Sequence, residues 1–353
     1  MDSLTQCVLG ACVGGLCAPD GRRRRGACYG AVFGTLPDLD VLLPAADPVT
    51  AMVTHRGFSH SLIVLTLAAP LCWSLLSTVD RVWQVARARW LLLTWLTLVT
   101  HPLLDWCTVD GTQLLWPIDR TPYALGNVFV IDPFYTLPLL AATLVLWFAR
   151  DPQRQRRWAA TALLVSTLYL GWGLLAQQIV THRARAALVA LDLPADTPLH
   201  VAAGPLNTLL WRVLARTPDG HWYEAWSALS ADAAAPLTGW VRHAGLPARE
   251  ELRTHLPQLG RLAAFSQGWF ALREIDNVLW YGDLRMGAHP WLAFRFALAR
   301  RDAAGRWQAL DPPRQAPFGR PPLRVLGWIV ARIVSDAVAV YPDGRDDRVP
   351  WVD

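Results

Sequence analysis

The 353-residue chain contains no lysine; all 33 of its basic residues are arginine. GC-rich coding bias accounts for such a set, so the net charge of +5 is not a nucleic-acid signature. The arginines are scattered and form no basic stripe with interleaved aromatics, which excludes nucleic acid as an expected partner. Charge of either sign is scarce, at 17% of residues against a usual share of about 25%. The six cysteines, Cys7, Cys12, Cys17, Cys28, Cys72 and Cys107, all lie in the first third, mostly in apolar runs. With no CxxC pair and no zinc-ribbon spacing, they read as small apolar fillers rather than a disulfide framework. No positive charge precedes the first apolar run and no cleavage site ends it, so a cleaved signal peptide is not expected. No internal repeat is evident.

What is present is apolar. Hydrophobic residues make up 53% of the chain and the mean hydropathy is +0.23, the balance of a membrane protein. The length exceeds one average domain, so two structural units are expected. Leu4 to Ala18 and Gly26 to Leu36 are glycine-rich apolar segments shorter than the ~20 residues of a spanning helix. They read as two short packed helices or a re-entrant hairpin, in which Gly10, Gly14, Gly30 and Gly34 allow close approach. Leu62–Val79, Trp90–Leu104, Val128–Phe148 and Trp158 to about Ile179 read as spans. Pro133 and Pro138 delay or kink the third of these.

From about Thr181 the pattern becomes soluble. Leu209–Thr217 and Trp222–Leu229, joined by Pro218-Asp219-Gly220, form a predicted β-hairpin. Ala248–Phe265 reads as a helix, and Ala271–Arg273, Val278–Arg285, Trp291–Arg301 and Trp307–Leu310 as strands. Val325 to Val340 reads as a docking helix in preference to a further span, because Arg332 and Asp336 interrupt it. The expected fold is an all-α polytopic membrane domain over residues 1–180, with about four full spans plus a short N-terminal helical pair. A small α+β domain follows over residues 181–353.

Arginine positions give the expected topology. If each apolar run crosses once, Arg22–Arg25, Arg81–Arg89 and Arg150–Arg157 share one face, which the positive-inside rule makes cytoplasmic. Residues 38–60, residues 101–132 and the C-terminal domain then share the opposite face.

Three polar islands fall on that face: Leu36-Pro37-Asp38-Leu39-Asp40, His55-Arg56-Gly57-Phe58-Ser59-His60-Ser61 and His101-Pro102-Leu103-Leu104-Asp105. His101 and Asp105 are four apart and share a face if helical, although Pro102 disfavours a helical His101. The competing reading of this pair is a hydrogen bond inside a packed bundle. His55 and His60 flank a glycine turn, with Ser59 or Ser61 placed to cap the next helix. Arg56 reads either as a salt-bridge partner or as a grip on a phosphate or carboxylate. Asp38 and Asp40 are costly at a membrane face unless they are exposed, paired or metal-bound. The islands converge on one face, which makes Asp38, Asp40, His55, His60, His101 and Asp105 the candidate metal ligands. Imidazole and carboxylate without thiolate suit zinc, manganese or iron. Six groups exceed the needs of one tetrahedral ion, so either two metals share them or some support the others. Asn127, Asp132 and Tyr135 read as caps and anchors in preference to pocket residues. His182, His200, His221, His243, His255 and His289 read as surface or packing residues.

LPDLD, HRGFSHS, HPLLD and the GTQLLWP stretch at Gly111–Pro117 resemble the LexA-binding, inner-membrane-associated metal-dependent hydrolase family, over roughly residues 1 to 180. The resemblance implies the bacterial inner membrane, a divalent metal and hydrolysis, with the six candidate ligands on the polar motif positions. Members carry a histidine in the first helix where this chain has Thr5-Gln6. The expected activity is hydrolysis of a phosphoester or lipid-type substrate by metal-activated water, with Asp38 or Asp40 taking the proton and Arg56 holding the anionic group. The alternative is a membrane scaffold or regulator with a structural metal clamp and a partner-binding C-terminal domain. A transporter fits less well, because the polar residues cluster at one face.

Overall fold

The computed structural model describes residues 1–230, 235–248, 250–317 and 323–335. It divides into two compact units. The first comprises Met1–Pro44 with Thr54–Gly173, and the second comprises Ala45–Val53 with the chain from Leu174 onward.

The first unit is helical. Helix α1 (Ser3–Cys17) is capped by Asp2, whose carboxylate accepts from the Thr5 amide. It packs against α2 (Arg23–Thr35), which takes Arg23–Arg25 into its first turn. The packing is backbone on backbone. A Cβ built at Gly10 would stand 2.1 Å from the Gly30 carbonyl oxygen, and one at Gly14 would stand 2.2 Å from that of Gly26. Only glycine fits there.

A 3₁₀ turn over Pro37–Leu42 carries the two aspartates, and α3 (Pro48–Thr54) follows. Helix α4 (Leu62–Val79) begins on the Ser61 cap, whose hydroxyl accepts from the Val64 amide. Helix α5 (Arg87–Trp106) runs through His101-Pro102 without a break, so His101 is helical despite the proline that follows it. Packing against α1, α2 and α4 holds the turn that proline alone would disfavour. Helix α6 (Pro133–Phe148) starts at proline under the Asp132 cap, as its sequence predicts.

Helix α7 (Pro152–Ala187) has 36 residues, about 54 Å at helical rise, well beyond the ~30 Å hydrocarbon layer. Helices α4 and α7 are long and apolar enough to cross a membrane, while α1 and α6 are shorter apolar helices. Two candidate spans among the described residues therefore stand where about four full spans were expected. The shortfall arises because α5 is too polar, with Arg87, Arg89, His101 and Asp105 in its sequence, and α6 is too short.

The second unit is α+β. Its first sheet, in order β1-β2-β3-β4, holds β1 (Leu199–Ala203), β2 (Leu210–Arg216), β3 (Trp222–Ala228) and β4 (Val241–His243). The expected hairpin is present, with Leu210 opposite Ala228 and Arg216 opposite Trp222. Strands β1 and β4 escaped the sequence reading because they are short and lack clear alternation. The last part of α7 packs on this sheet through Ala176, Val180, Ala184 and Ala187.

The predicted helix over 248–265 is two helices, α8 (Glu250–His255) and α9 (Pro257–Phe265), broken where Pro257 cannot continue the first. The second sheet, in order β10-β9-β6-β5, holds β5 (Phe270–Ile275), β6 (Val278–Asp283), β9 (Arg295–Arg301) and β10 (Trp307–Gln315). A short pair, β7 (Gly287–Ala288) and β8 (Trp291–Leu292), lies between β6 and β9 in the chain. Helix α10 (Arg324–Val334) docks on Leu210, Trp226 and Ala228, as expected, and residues 336–340 of that predicted helix lie outside the described residues.

Helix α3 belongs to this second unit. Val49 and Met52 are buried with Leu259, Leu262, Phe265 and Tyr281 in its core. Arg261 donates to the Thr50 hydroxyl at 3.0 Å. The loop that joins Asp40 to His55 thus supplies a core helix to the C-terminal fold.

Candidate metal centre

Three elements of the first unit bring four side chains to one point. The 3₁₀ turn after α2 brings Asp38, the turn before α4 brings His60, and α5 brings His101 and Asp105 one turn apart. His60 Nε2 lies 3.1 Å from His101 Nε2, and each lies 3.4 Å from Asp38 Oδ1. Asp105 Oδ2 is 3.3 Å from His60 Nε2 and 3.5 Å from His101 Nε2. Corners of a tetrahedron 2.0–2.1 Å from a central zinc stand about 3.3–3.4 Å apart. These five separations lie near that edge, and all four atoms lie within 4.8 Å of one another, which suits ligands around one small ion. Asp105 Oδ2 is buried and makes no hydrogen bond, and the Arg56 Nε stands 3.3 Å from it.

The surroundings turn both imidazoles inward. His101 Nδ1 donates to the Gly34 carbonyl oxygen at 2.6 Å, and because a carbonyl only accepts, Nε2 of the neutral ring keeps its lone pair. His60 Nδ1 meets the Ser59 hydroxyl at 2.9 Å, and that hydroxyl donates to Asp40 at 2.6 Å. Both rings thus have the outer hydrogen bonds that metal-binding histidines use to fix their orientation.

Asp40 and His55 stand beside the four atoms and not among them. His55 Nδ1 donates to Asp40 Oδ1 at 2.8 Å, and the Arg56 amide donates to Asp40 Oδ2 at 3.1 Å. Burial alone would raise the Asp40 carboxyl, but the hydrogen bonds from His55 and Ser59 outweigh it and hold it below the ordinary carboxylate range. Sequence spacing separates neither residue from the ligand set, because the difference lies in which ring atom the turn aims inward.

Arg56 is buried in the left-handed region at φ 59°. Its Nε lies 3.3 Å from both Asp105 and Asp110, and its Nη1 donates to the Thr108 hydroxyl at 3.4 Å. Burial opposes its charge, and the two carboxylates more than restore it, which holds its pKa above the ordinary arginine value. Of the two readings of Arg56, the geometry shows the salt-bridge partner, here a bridge between two internal carboxylates.

Asp110, Thr108 and the Gly34 carbonyl were not legible as site groups. Only the closeness of Asp110 to Asp105 in sequence hints at it. Gln6 occupies the first-helix position singled out earlier, and its amide donates to Asp105 Oδ1 at 3.0 Å. The GTQLLWP stretch straps the second island. The Gln113 amide donates to the Arg56 carbonyl at 3.0 Å, the Leu62 amide to Leu114 at 2.9 Å and the Ser61 hydroxyl to Trp116 at 2.6 Å. Asp132 caps α6 as expected, while Asn127 donates to the Leu170 carbonyl and Tyr135 lies in the helical core instead of at an interface.

This helical unit coincides with a known family. The model of the YdjM inner membrane protein family matches residues 1–180, about half of the chain. The chain belongs to the YdjM inner membrane protein family. Its membership places it in the inner membrane, as the first-unit sequence implied. It is 30% identical over 159 residues to the uncharacterized protein YfhP of Bacillus subtilis (strain 168), which covers 42% of this chain and 47% of YfhP. It is 35% identical over 119 residues to the inner membrane protein YbcI of Escherichia coli (strain K12), which covers 31% of this chain and 66% of YbcI. The chain thus spans about half to two-thirds of the curated relatives it matches. No solved structure matches it.

Proposed function

We propose that this YdjM family protein is a metal-dependent hydrolase of the inner membrane, acting on a phosphoester or lipid-type ester. Asp38, His60, His101 and Asp105 would hold one divalent ion, with zinc favoured by the tetrahedral spacing and manganese or iron as alternatives. Such an ion supplies a Lewis acid that polarises an ester oxygen and acidifies a water molecule.

The observation that carries the reading is the unequal burial of the four ligands. The Asp38 side chain is 20% exposed while those of His60, His101 and Asp105 are sealed, so the centre has one accessible edge. At that edge Asp38 is placed to take a proton from an attacking water. Asp40, bonded to His55, Ser59 and the Arg56 amide, holds the turn that presents His60. Arg56 offsets part of the charge of Asp105 and Asp110. The arginine distribution supports a non-cytoplasmic position for the motif loops and the second unit.

A structural clamp is the second reading, because four protein ligands complete a tetrahedron and structural zinc sites are closed in that way. The test is elemental analysis of the detergent-purified chain, followed by a screen of phosphomonoesters, phosphodiesters and phospholipids against the chelated protein. Metal-dependent turnover is expected. Stoichiometric metal without turnover on any of the three classes favours the clamp.

A further inference from the structure

The residues around the accessible edge of the centre have the wrong character for a water-borne substrate. Contiguous exposed apolar patches mark protein–protein or membrane interaction sites. Here Leu39, Val41, Leu42 and Leu43 are 52%, 66%, 76% and 55% exposed, directly after Asp38 and around Asp40. Phe58, between His55 and His60, is 45% exposed, and Ile118 on the adjoining strap is 84% exposed. The strap lies against the histidine turn, since the Phe58 and Trp116 rings stand 6.2 Å apart. Fully burying one leucine is worth about 1.5–3 kcal/mol, so six exposed apolar side chains beside one site are costly in water and favourable in lipid.

The exposed apolar surface also continues into a helix suited to the bilayer. Helix α4 starts at Leu62, two residues past His60, and exposes Leu67, Leu71 and Leu75. Only 11% of its most apolar window is buried within the protein.

We infer that the rim is a bilayer entry port, and that the substrate is a membrane lipid whose polar head reaches Asp38 while its acyl tail lies on Leu42, Leu43 and Phe58. This rests on the hydrolase reading, from which it takes the metal at the head-group end. It excludes a soluble envelope metabolite as the main substrate.

The test uses the full-length chain in phosphatidylcholine nanodiscs doped with a diazirine-tailed phosphatidic acid. Photolabelled peptides are mapped, and zinc is measured in the same samples. Labelling of the peptides holding Leu39–Leu43 and Phe58 should exceed that of α4, and chelation should abolish the excess. The L42S/L43S double variant, at two exposed positions, should lose roughly ten-fold of the Phe58 labelling, with zinc content and α4 labelling unchanged. Rim labelling no greater than that of α4, or insensitive to both chelation and the double variant, overturns the port while a zinc-holding sample leaves the hydrolase reading standing. A sample without zinc brings down the metal reading, and with it the place of the head group at Asp38.

Discussion

His60 and His101 bring their Nε2 atoms to 3.1 Å from each other. The Gly34 carbonyl takes the Nδ1 proton of His101, so the neutral ring points a lone pair at its neighbour, with Asp38 and Asp105 on either side. Two neutral rings so disposed need a proton or a cation between their Nε2 atoms.

The first prediction follows directly. The wild-type chain should hold about one zinc, as a tetrahedral ligand set requires, and H60A/H101A should hold none. H55A should keep full occupancy, because His55 bonds Asp40 instead of facing the ion. D40A should weaken affinity by about 10–100-fold, the usual effect of removing an outer partner. Competition with a chelator measures all four, and loss of zinc in H55A would return His55 to the ligand set.

The α1–α2 contact gives a second. A side chain at position 30 would drive a Cβ to 2.0 Å from the Gly10 carbonyl oxygen. Gly30→Val should cost at least about 1–3 kcal/mol through overpacking. It should also lower zinc affinity, since α2 ends at the turn that carries Asp38. Thermal melting in detergent with parallel zinc analysis checks both, and a variant as stable as wild type would refute the close packing.

A third concerns Met52, which is 8% exposed in the core of the second unit. Met52→Ala should cost about 2–5 kcal/mol. The loss should appear as hydrogen exchange in β5, β6 and β9, whose Leu272, Tyr281 and Phe296 share that core. Unchanged protection in those strands would place α3 elsewhere.

The fourth is a pH dependence. Burial, with Arg285 and Arg212 nearby, lowers the His200 pKa to about 3. The ordinary imidazole value is about 6.5, so below it the unfolded chain takes up a proton that the folded ring refuses. Stability of the second unit should therefore fall as pH drops from about 6.5 toward 3. His200→Gln should flatten that slope in urea unfolding followed by tryptophan fluorescence, and an unchanged slope would reject the assignment.

Much of this was legible in the sequence because it depends on local rules. The limits of α4, the proline start of α6 and the β2–β3 hairpin follow from apolar run length, cap chemistry and turn residues. The convergence of Asp38, His60, His101 and Asp105 was legible from the arginine count across the loops. The inward or outward aim of each polar group was not. His55 and His60 are equivalent as sequence, and only the turn at Arg56 and the hydrogen bond from Ser59 to Asp40 separate them. The sequence leaves Arg56 open between a salt bridge and an anion grip, and its carboxylate partners become visible only when the turn after α5 brings Asp110 beside it. The membership of α3 in a core built mainly from residues past 250 rests on contacts far apart in the chain, which no local pattern records.

That last placement bears on how the protein can be made. Helix α3 sits between Asp40 and His55, and its Val49 and Met52 share a core with residues past 250, among them Leu259, Leu262, Phe265 and Tyr281. During synthesis the four clustered residues leave the ribosome early, yet α3, within the segment linking Asp38 to His60, lacks these core partners until more than two hundred further residues have followed (Leu259 lies 207 positions after Met52). Anchoring of α3, which lies between Asp40 and His55, therefore waits on the C-terminal fold. A chain stopped near residue 180 would carry every ligand and still lack the core that anchors their connecting loop.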